Sequence, residues 1–295
     1  MGVRDDGFVC GSVSGGCVET AVIEASLEAL ADGKPRELKF DAITEDSIWD
    51  VGLSCGGRIQ VRVDPDPVGR NLAEWNALSE RLLADLPTVL ITNLETQESQ
   101  LWIPGQPDPL AGVTESTYDR RTSAEIEVEG ERFFLNVLCA RERLVIVGSV
   151  HIAVPLVKFA RELGFETVVI DPRSTFASAE RFPTEPDKIV VAWPKEAFDQ
   201  IPLTSDTYVA VLTHDPKIDD VALEIVLRSP VAYIGALGSR VTQAKRRDSL
   251  RALGFSEAEL EKIHGPIGLN IGARSPEEIA LSIIAEIIQV RRSRT

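Results

Sequence analysis

Scarcity narrows the chemistry of this chain before any motif does. Its four cysteines, Cys10, Cys17, Cys55 and Cys139, are too few and too scattered among 295 residues for a disulfide framework, and none has the close spacing of a zinc site. They are expected to be reduced thiols. Three histidines occur, His151, His214 and His264, and no two are spaced as ligands along a helix. A serine nucleophile elbow is also missing. No apolar run approaches bilayer-spanning length, and the amino terminus has neither the basic start nor the apolar core of a signal peptide. The expectation is a cytoplasmic protein with no membrane association. Basic residues are outnumbered, 31 Lys and Arg against 46 Asp and Glu, and no basic stripe interleaved with aromatics offsets the net charge of −15. Such a surface repels phosphate backbones, so nucleic acid is not an expected partner. The excess acid lies in residues 1–142, with 12 basic against 26 acidic, while residues 143–295 carry 19 against 20. It reads first as a solubility device and second as a docking face for a basic partner.

What the chain does contain is an alternation of apolar runs and helical segments in its carboxyl half. The runs 144–147, 168–170, 189–191, 208–212 and 231–234 are continuous and rich in valine and isoleucine, as in parallel strands buried on both faces. A helix from Ile152 to Leu163 and a last helix with Ile279, Ile283, Ile287 and Val290 on one stripe cover them. Ser256 with Glu259, and Ser275-Pro276 with Glu278, mark helix starts. The fold class is therefore α/β: a Rossmann-like doubly wound parallel sheet in the carboxyl half and a smaller α/β amino-terminal domain. In the amino-terminal half the spacing predicts helices over 18–30 and 70–86, a strand over 59–63, and a hairpin whose strands, 126–128 and 133–137, flank Glu129-Gly130. The domains are read as 1–115, a hairpin and linker over 116–142, and 143–295, with the boundary near Arg141.

Ligands of a doubly wound sheet lie beyond the carboxyl ends of its strands, which directs attention to the turns there. Gly148-Ser149-Val150-His151 occupies the first strand-to-helix turn, and Asp171 ends the next strand where an acid would bind a ribose hydroxyl. Val150 stands where a second glycine would admit a pyrophosphate, which argues against tight NAD(P) binding. His151 and His214 sit at the same edge as candidate ligand contacts. The run Tyr233-Ile234-Gly235-Ala236-Leu237-Gly238-Ser239-Arg240 and the stretch from Pro266 to Ala280 each join an apolar run, glycines and a helix-opening polar residue. Such turns present backbone N–H groups to an anion, so Gly235, Gly238, Ser239 and Arg240 join the candidates. Two further glycine-rich turns carry a cysteine each: Gly11-Ser12-Val13-Ser14-Gly15-Gly16-Cys17-Val18-Glu19 and Gly52-Leu53-Ser54-Cys55-Gly56-Gly57. A thiol among exposed amides favours its thiolate and can hold sulfur or a soft metal, while the alternative is a small residue packed beside a tight turn.

These runs, with Val169-Ile170-Asp171-Pro172-Arg173 and Leu212-Thr213-His214-Asp215, resemble the XdhC/CoxI family in order and across essentially the whole chain. The resemblance implies an accessory protein for molybdenum hydroxylases such as xanthine dehydrogenase. It would bind the molybdenum cofactor (molybdopterin), shield it while a cysteine desulfurase installs its terminal sulfur, and insert it into the apo-enzyme, with a homodimer as one assembly open to it. On this reading no bond is made or broken by the chain itself. Cys17 and Cys55 would face the metal and its dithiolene as possible molybdenum or sulfur contacts. Glu19 closes the first cysteine turn, and Gly148, Ser149, Gly238, Ser239 and Arg240 would hold the phosphate. Two departures stand out. Val150 replaces a glycine of the family's turn, and Met1 lies just ahead of the first motif where relatives carry some tens of residues more, so the amino-terminal domain is expected either to start upstream or to lack part of its sheet. Two other classes remain: an NAD(P)-dependent oxidoreductase using Asp171 with His151 or His214, and an interaction module with a degenerate Rossmann core.

Overall fold

A computed structural model describes residues 1–14, 16, 18–40 and 58–293. Cys17 and Cys55 lie outside the described residues, as does the whole of the 52–57 turn. The chain divides into two compact units, one made of Met1–Thr117 with Ser123–Leu138 and the other of Tyr118–Thr122 with Cys139–Thr295.

In the first unit β1 (Gly2–Val3) and β2 (Val9–Cys10) form an antiparallel ribbon ahead of α1 (Glu19–Asp32). Helix α1 ends at Gly33, whose φ of 69° is the left-handed conformation of a helix carboxyl cap. It buries Val22 and Ala29 with Phe40 and Val63 of the antiparallel pair β3 (Arg36–Phe40) and β4 (Ile59–Val63). The single helix expected over 70–86 is instead two, α2 (Pro67–Arg70) and α3 (Leu72–Leu83). Asn71 breaks it, because its side-chain amide donates to the Pro67 and Gln97 carbonyls and holds φ at −125°. Strands β5 (Thr88–Asn93) and β6 (Ser99–Trp102), the short α4 (Val113–Asp119), and the hairpin β7 (Ala124–Val128) and β8 (Glu131–Leu138) follow. The four strands pair antiparallel in the order β6-β5-β8-β7. Glu129 and Gly130 both have positive φ, 55° and 84°, as a tight two-residue hairpin turn requires.

The second unit is built on six strands: β9 (Arg143–Val147), β10 (Glu166–Ile170), β11 (Lys188–Val190), β12 (Thr207–Val211), β13 (Tyr233–Ala236) and β14 (Ile263–His264). All pair parallel, in the order β11-β10-β9-β12-β13-β14, which is the doubly wound arrangement read from the sequence. Between them run α5 (Ala153–Glu162), α6 (Pro194–Phe198), α7 (Pro216–Leu227), α8 (Arg240–Ala252) and α9 (Glu257–Leu260), and α10 (Pro276–Ser293) closes the unit. Alternate residues of β9 point to opposite faces, Leu144 and Ile146 into the core under α5 and α10, Val145 and Val147 into the core on the other face. Ile283 and Ile287 of α10 are fully buried, each contributing roughly 1.5–3 kcal/mol, and Ile279 and Val290 flank them. The capping box of Ser256 and Glu259 forms in both directions. Strand order reverses between β9 and β12, so the crevice for a ligand lies at Gly148 and at Thr213-His214.

Candidate functional site

At that crevice Gly148 is held at φ 108° and donates to the Ile170 carbonyl. A β-carbon there would collide with Thr213 Cγ2 and come within 3.1 Å of the Thr213 nitrogen, so only glycine lets β9 and β12 approach. Ser149 is buried. Its amide donates to Asp171 Oδ2 at 2.9 Å and its hydroxyl to the Phe176 carbonyl at 2.6 Å. Asp171 is likewise fully buried and also accepts from the Arg173 amide at 3.0 Å, Nε at 2.9 Å and Nη2 at 2.7 Å. Two donors on each oxygen use the lone pairs a ribose hydroxyl would need. Burial pushes the Asp171 carboxyl up, but the Arg173 guanidinium and the two amides outweigh it and leave the group below its ordinary value. Arg173 lies over the Phe176 ring at 4.3 Å, with Arg181 at 5.1 Å from the same ring. Val150 is half buried against the α5 and α10 face. His151 and His214 are both exposed at this edge, and His214 holds φ at 67°, a conformation few side chains adopt. The His214 amide is fixed by Asp219, which is buried and also accepts from Thr213 Oγ1 and, at 3.0 Å, from Arg246 Nη2.

The two glycine-rich runs of the carboxyl half converge one strand further along. Leu237, Arg240 and the loop from Pro266 to Ala273 line one cleft of about 390 Å³. Gly238 has φ 137°, and Ser239 caps α8 by accepting from the Thr242 amide at 3.2 Å. Arg240 is exposed, and its guanidinium makes no ion pair or hydrogen bond among the described residues. The amides of Asn270, Gly272 and Ala273 are likewise without acceptors among them. The loop is anchored by Glu286, which accepts from the Gly268 amide at 2.9 Å and from the Tyr233 hydroxyl and faces His264 Nδ1 at 3.3 Å. His264 ends β14 and belongs to this cluster. Gly235 is buried inside β13, where a side chain would strike Ile267 and the Tyr233 hydroxyl.

In the first unit the described part of the cysteine-bearing turn folds around Glu19. Its Oε1 accepts from the Ser12 hydroxyl at 2.7 Å and from the Val13 and Ser14 amides at 3.1 and 2.8 Å. Its Oε2 accepts from the Ser14 hydroxyl and the Gly16 amide, both at 2.9 Å, and from the Val18 amide at 3.2 Å. The Ser12 hydroxyl and then the Ser14 amide hold its pKa far below the usual carboxylate range. The amides that glycine frees for an anion are thus filled by the chain's own carboxylate, and Glu19 positions the loop. Sequence reading missed Arg173, Arg181 and the Asp219–Arg246 pair. Arg173 stood inside a sequence motif, but only folding shows it turned back on Asp171.

A parallel six-stranded sheet with glycine turns at its carboxyl edge defines a Rossmann-type binding domain, here joined to a smaller α/β unit. Residues 144–287 match the profile of the XdhC Rossmann domain, and residues 1–41 match that of the XdhC and CoxI family. The chain belongs to the XdhC and CoxI family. It is 27% identical over 293 residues to the uncharacterized protein YqeB of Escherichia coli K12, covering 99% of this chain and 40% of that protein. A probable xanthine dehydrogenase subunit from Bacillus subtilis 168 is 26% identical over 294 residues, with 96% of this chain and 84% of that one covered. The molybdenum cofactor insertion chaperone PaoD of Escherichia coli K12 is 28% identical over 292 residues, with coverage of 99% and 77%. A crystal structure of a xanthine dehydrogenase from Bacillus halodurans superposes with a TM-score of 0.76 at 28% identity, covering 99% of this chain and 86% of that chain. Among the described residues no helix is long and apolar enough to cross a membrane.

Proposed function

We propose that the protein is a cytoplasmic carrier of the molybdenum cofactor, which it binds as cargo, holds during sulfuration and passes to a xanthine dehydrogenase-type hydroxylase. The observation that carries this reading is the convergence of the Gly238-Ser239-Arg240 turn and the 266–273 loop on one cleft whose guanidinium and loop amides have no partner among the described residues. That combination suits the phosphate of a pterin cofactor, through charge-assisted hydrogen bonds and the positive end of α8. Relatedness to a protein named as a molybdenum cofactor insertion chaperone supports the same cargo. Protein partners on this reading are the apo-hydroxylase, a cysteine desulfurase and a second copy of the chain. Release requires only that the hydroxylase bind the cofactor more tightly than the carrier does. The oxidoreductase reading has no comparable support, because Arg173 and Ser149 already fill the carboxylate on which a ribose would rest.

Protein produced alongside active cofactor synthesis is expected to carry stoichiometric molybdenum and pterin, measured by elemental analysis and by fluorescence of the oxidised pterin. Cys17→Ser and Cys55→Ser are each expected to lower the retained metal without unfolding the chain. Equal metal in both variants and the parent would make these cysteines packing residues.

A further inference from the structure

The first unit holds a cavity of about 550 Å³, the size of a small-molecule site. Its apolar walls come from elements far apart in sequence: Val13 ahead of α1, Val61 on β4, Trp75 on α3, Leu94 after β5 and Phe134 on β8. Phe134 leaves 40% of its surface open on the sheet, and the indole N–H of Trp75 is buried with no acceptor. Two flat aromatic side chains in such a wall favour a flat ring as occupant.

The charged groups narrow the class of ring. Arg62 stands opposite Glu37 in the β3–β4 ladder, yet Glu37 Oε1 turns to the Gln60 amide and lies 3.8 Å from Lys39 Nζ. Arg62 is left without an ion pair or hydrogen bond among the described residues, and Glu37 Oε2 without a donor. The other carboxylates of the wall are engaged, Asp64 by Arg70 and Glu125 by Arg132. Among the described residues the cavity thus offers one unpaired cation and one open carboxylate oxygen beside aromatic faces. A ring with an oxo acceptor next to an amino and N–H donor edge satisfies both, and the fused aminopyrimidinone of a pterin has that pattern. An adenine ring, with no oxo group, does not.

We propose that this cavity binds the pterin ring system, with Phe134 and Trp75 at its faces, Arg62 on the oxo group and Glu37 on the donor edge. The proposal rests on the carrier reading for its choice of ligand. It also gives the Glu19-pinned turn a use, because Val13 belongs to that turn and forms part of the wall.

Calorimetry of the full chain, purified without cofactor, against metal-free pterin-6-carboxylate tests it. Saturable binding is expected, weakened about tenfold or more in Phe134→Ala and in Arg62→Gln, since loss of a stacking or charge-assisted contact is an effect of that size. Both side chains reach the surface, so melting temperatures should stay at the parent value. Adenosine monophosphate should bind far more weakly. Unchanged affinity in both variants, or equal affinity for the adenine nucleotide, would overturn the site. The carrier reading fails separately: protein from cofactor-producing cells that lacks molybdenum but still binds free pterin through Phe134 and Arg62 would keep the cavity and sink the cargo. Retained molybdenum with no binding of free pterin would do the reverse.

Discussion

Glu19 replaces, with one side chain, an anion that the turn from Ser12 to Val18 would otherwise draw from solution. Among the described residues three donors reach each carboxylate oxygen, more than a neutral amide could satisfy, because glutamine offers a single acceptor oxygen. The folded-state pKa of Glu19 lies well below its ordinary 4.5, so its stabilising contribution is complete above that value and is lost as pH falls through the acid range beneath it. The gap in melting temperature between the parent and Glu19→Gln is therefore expected to be widest near neutrality and to close progressively below pH 4.5. Asp171 is depressed as well, so its contribution is also lost in acid, but that loss is common to both proteins and cancels in the comparison. A gap that stays constant down to acid pH would mean that shape, and not charge, holds the turn.

The β9–α5 turn shows an element fixed by a clash it must avoid. Gly148→Ala would combine a left-handed φ with contact against Thr213, and is expected to lower stability by about 1–3 kcal/mol, read from the denaturant midpoint. Adding Thr213→Ser removes Cγ2 while keeping the hydroxyl on Asp219, so part of the loss should return. A neutral Gly148→Ala would refute the close approach. This turn was legible in the sequence because a glycine directly after a buried apolar run marks the point where a strand gives way to a helix. The parallel strands were legible because burial on both faces leaves a continuous apolar record. Strand β3 was not, since Arg36-Glu37-Leu38-Lys39-Phe40 opens on two adjacent charges and holds only two apolar residues, too short a pattern to read, and two-residue β14 leaves no pattern at all. The break at Asn71 depends on the Gln97 carbonyl, far along the chain, which no local signal carries. Site residues divide in the same way. Strand-end positions such as Asp171 and His214 followed from the fold, whereas the direction of Arg173 and the cavity of the first unit depend on tertiary packing.

Across the whole molecule the charge is divided unequally between the two halves of the sequence. Residues 1–142 carry 12 basic against 26 acidic side chains, a poor setting for phosphate, while residues 143–295 are close to neutral at 19 against 20. The cleft of the second unit is thus the better electrostatic setting for a phosphate, and its exposed guanidinium is Arg240. No ion pair or side-chain hydrogen bond to Arg240 occurs among the described residues, so its removal breaks none there. A charge-assisted contact to phosphate contributes about 1.5–3 kcal/mol, which makes the expected loss of retained cofactor in Arg240→Ala roughly tenfold or more. The melting temperature of the cofactor-free protein should not move. Raising the salt concentration should weaken retention in the parent and narrow its advantage over the variant, because an exposed contact of this kind is screened. If Arg240→Ala instead melts earlier while holding as much cofactor as the parent, the guanidinium supports α8, and the phosphate must be bound elsewhere.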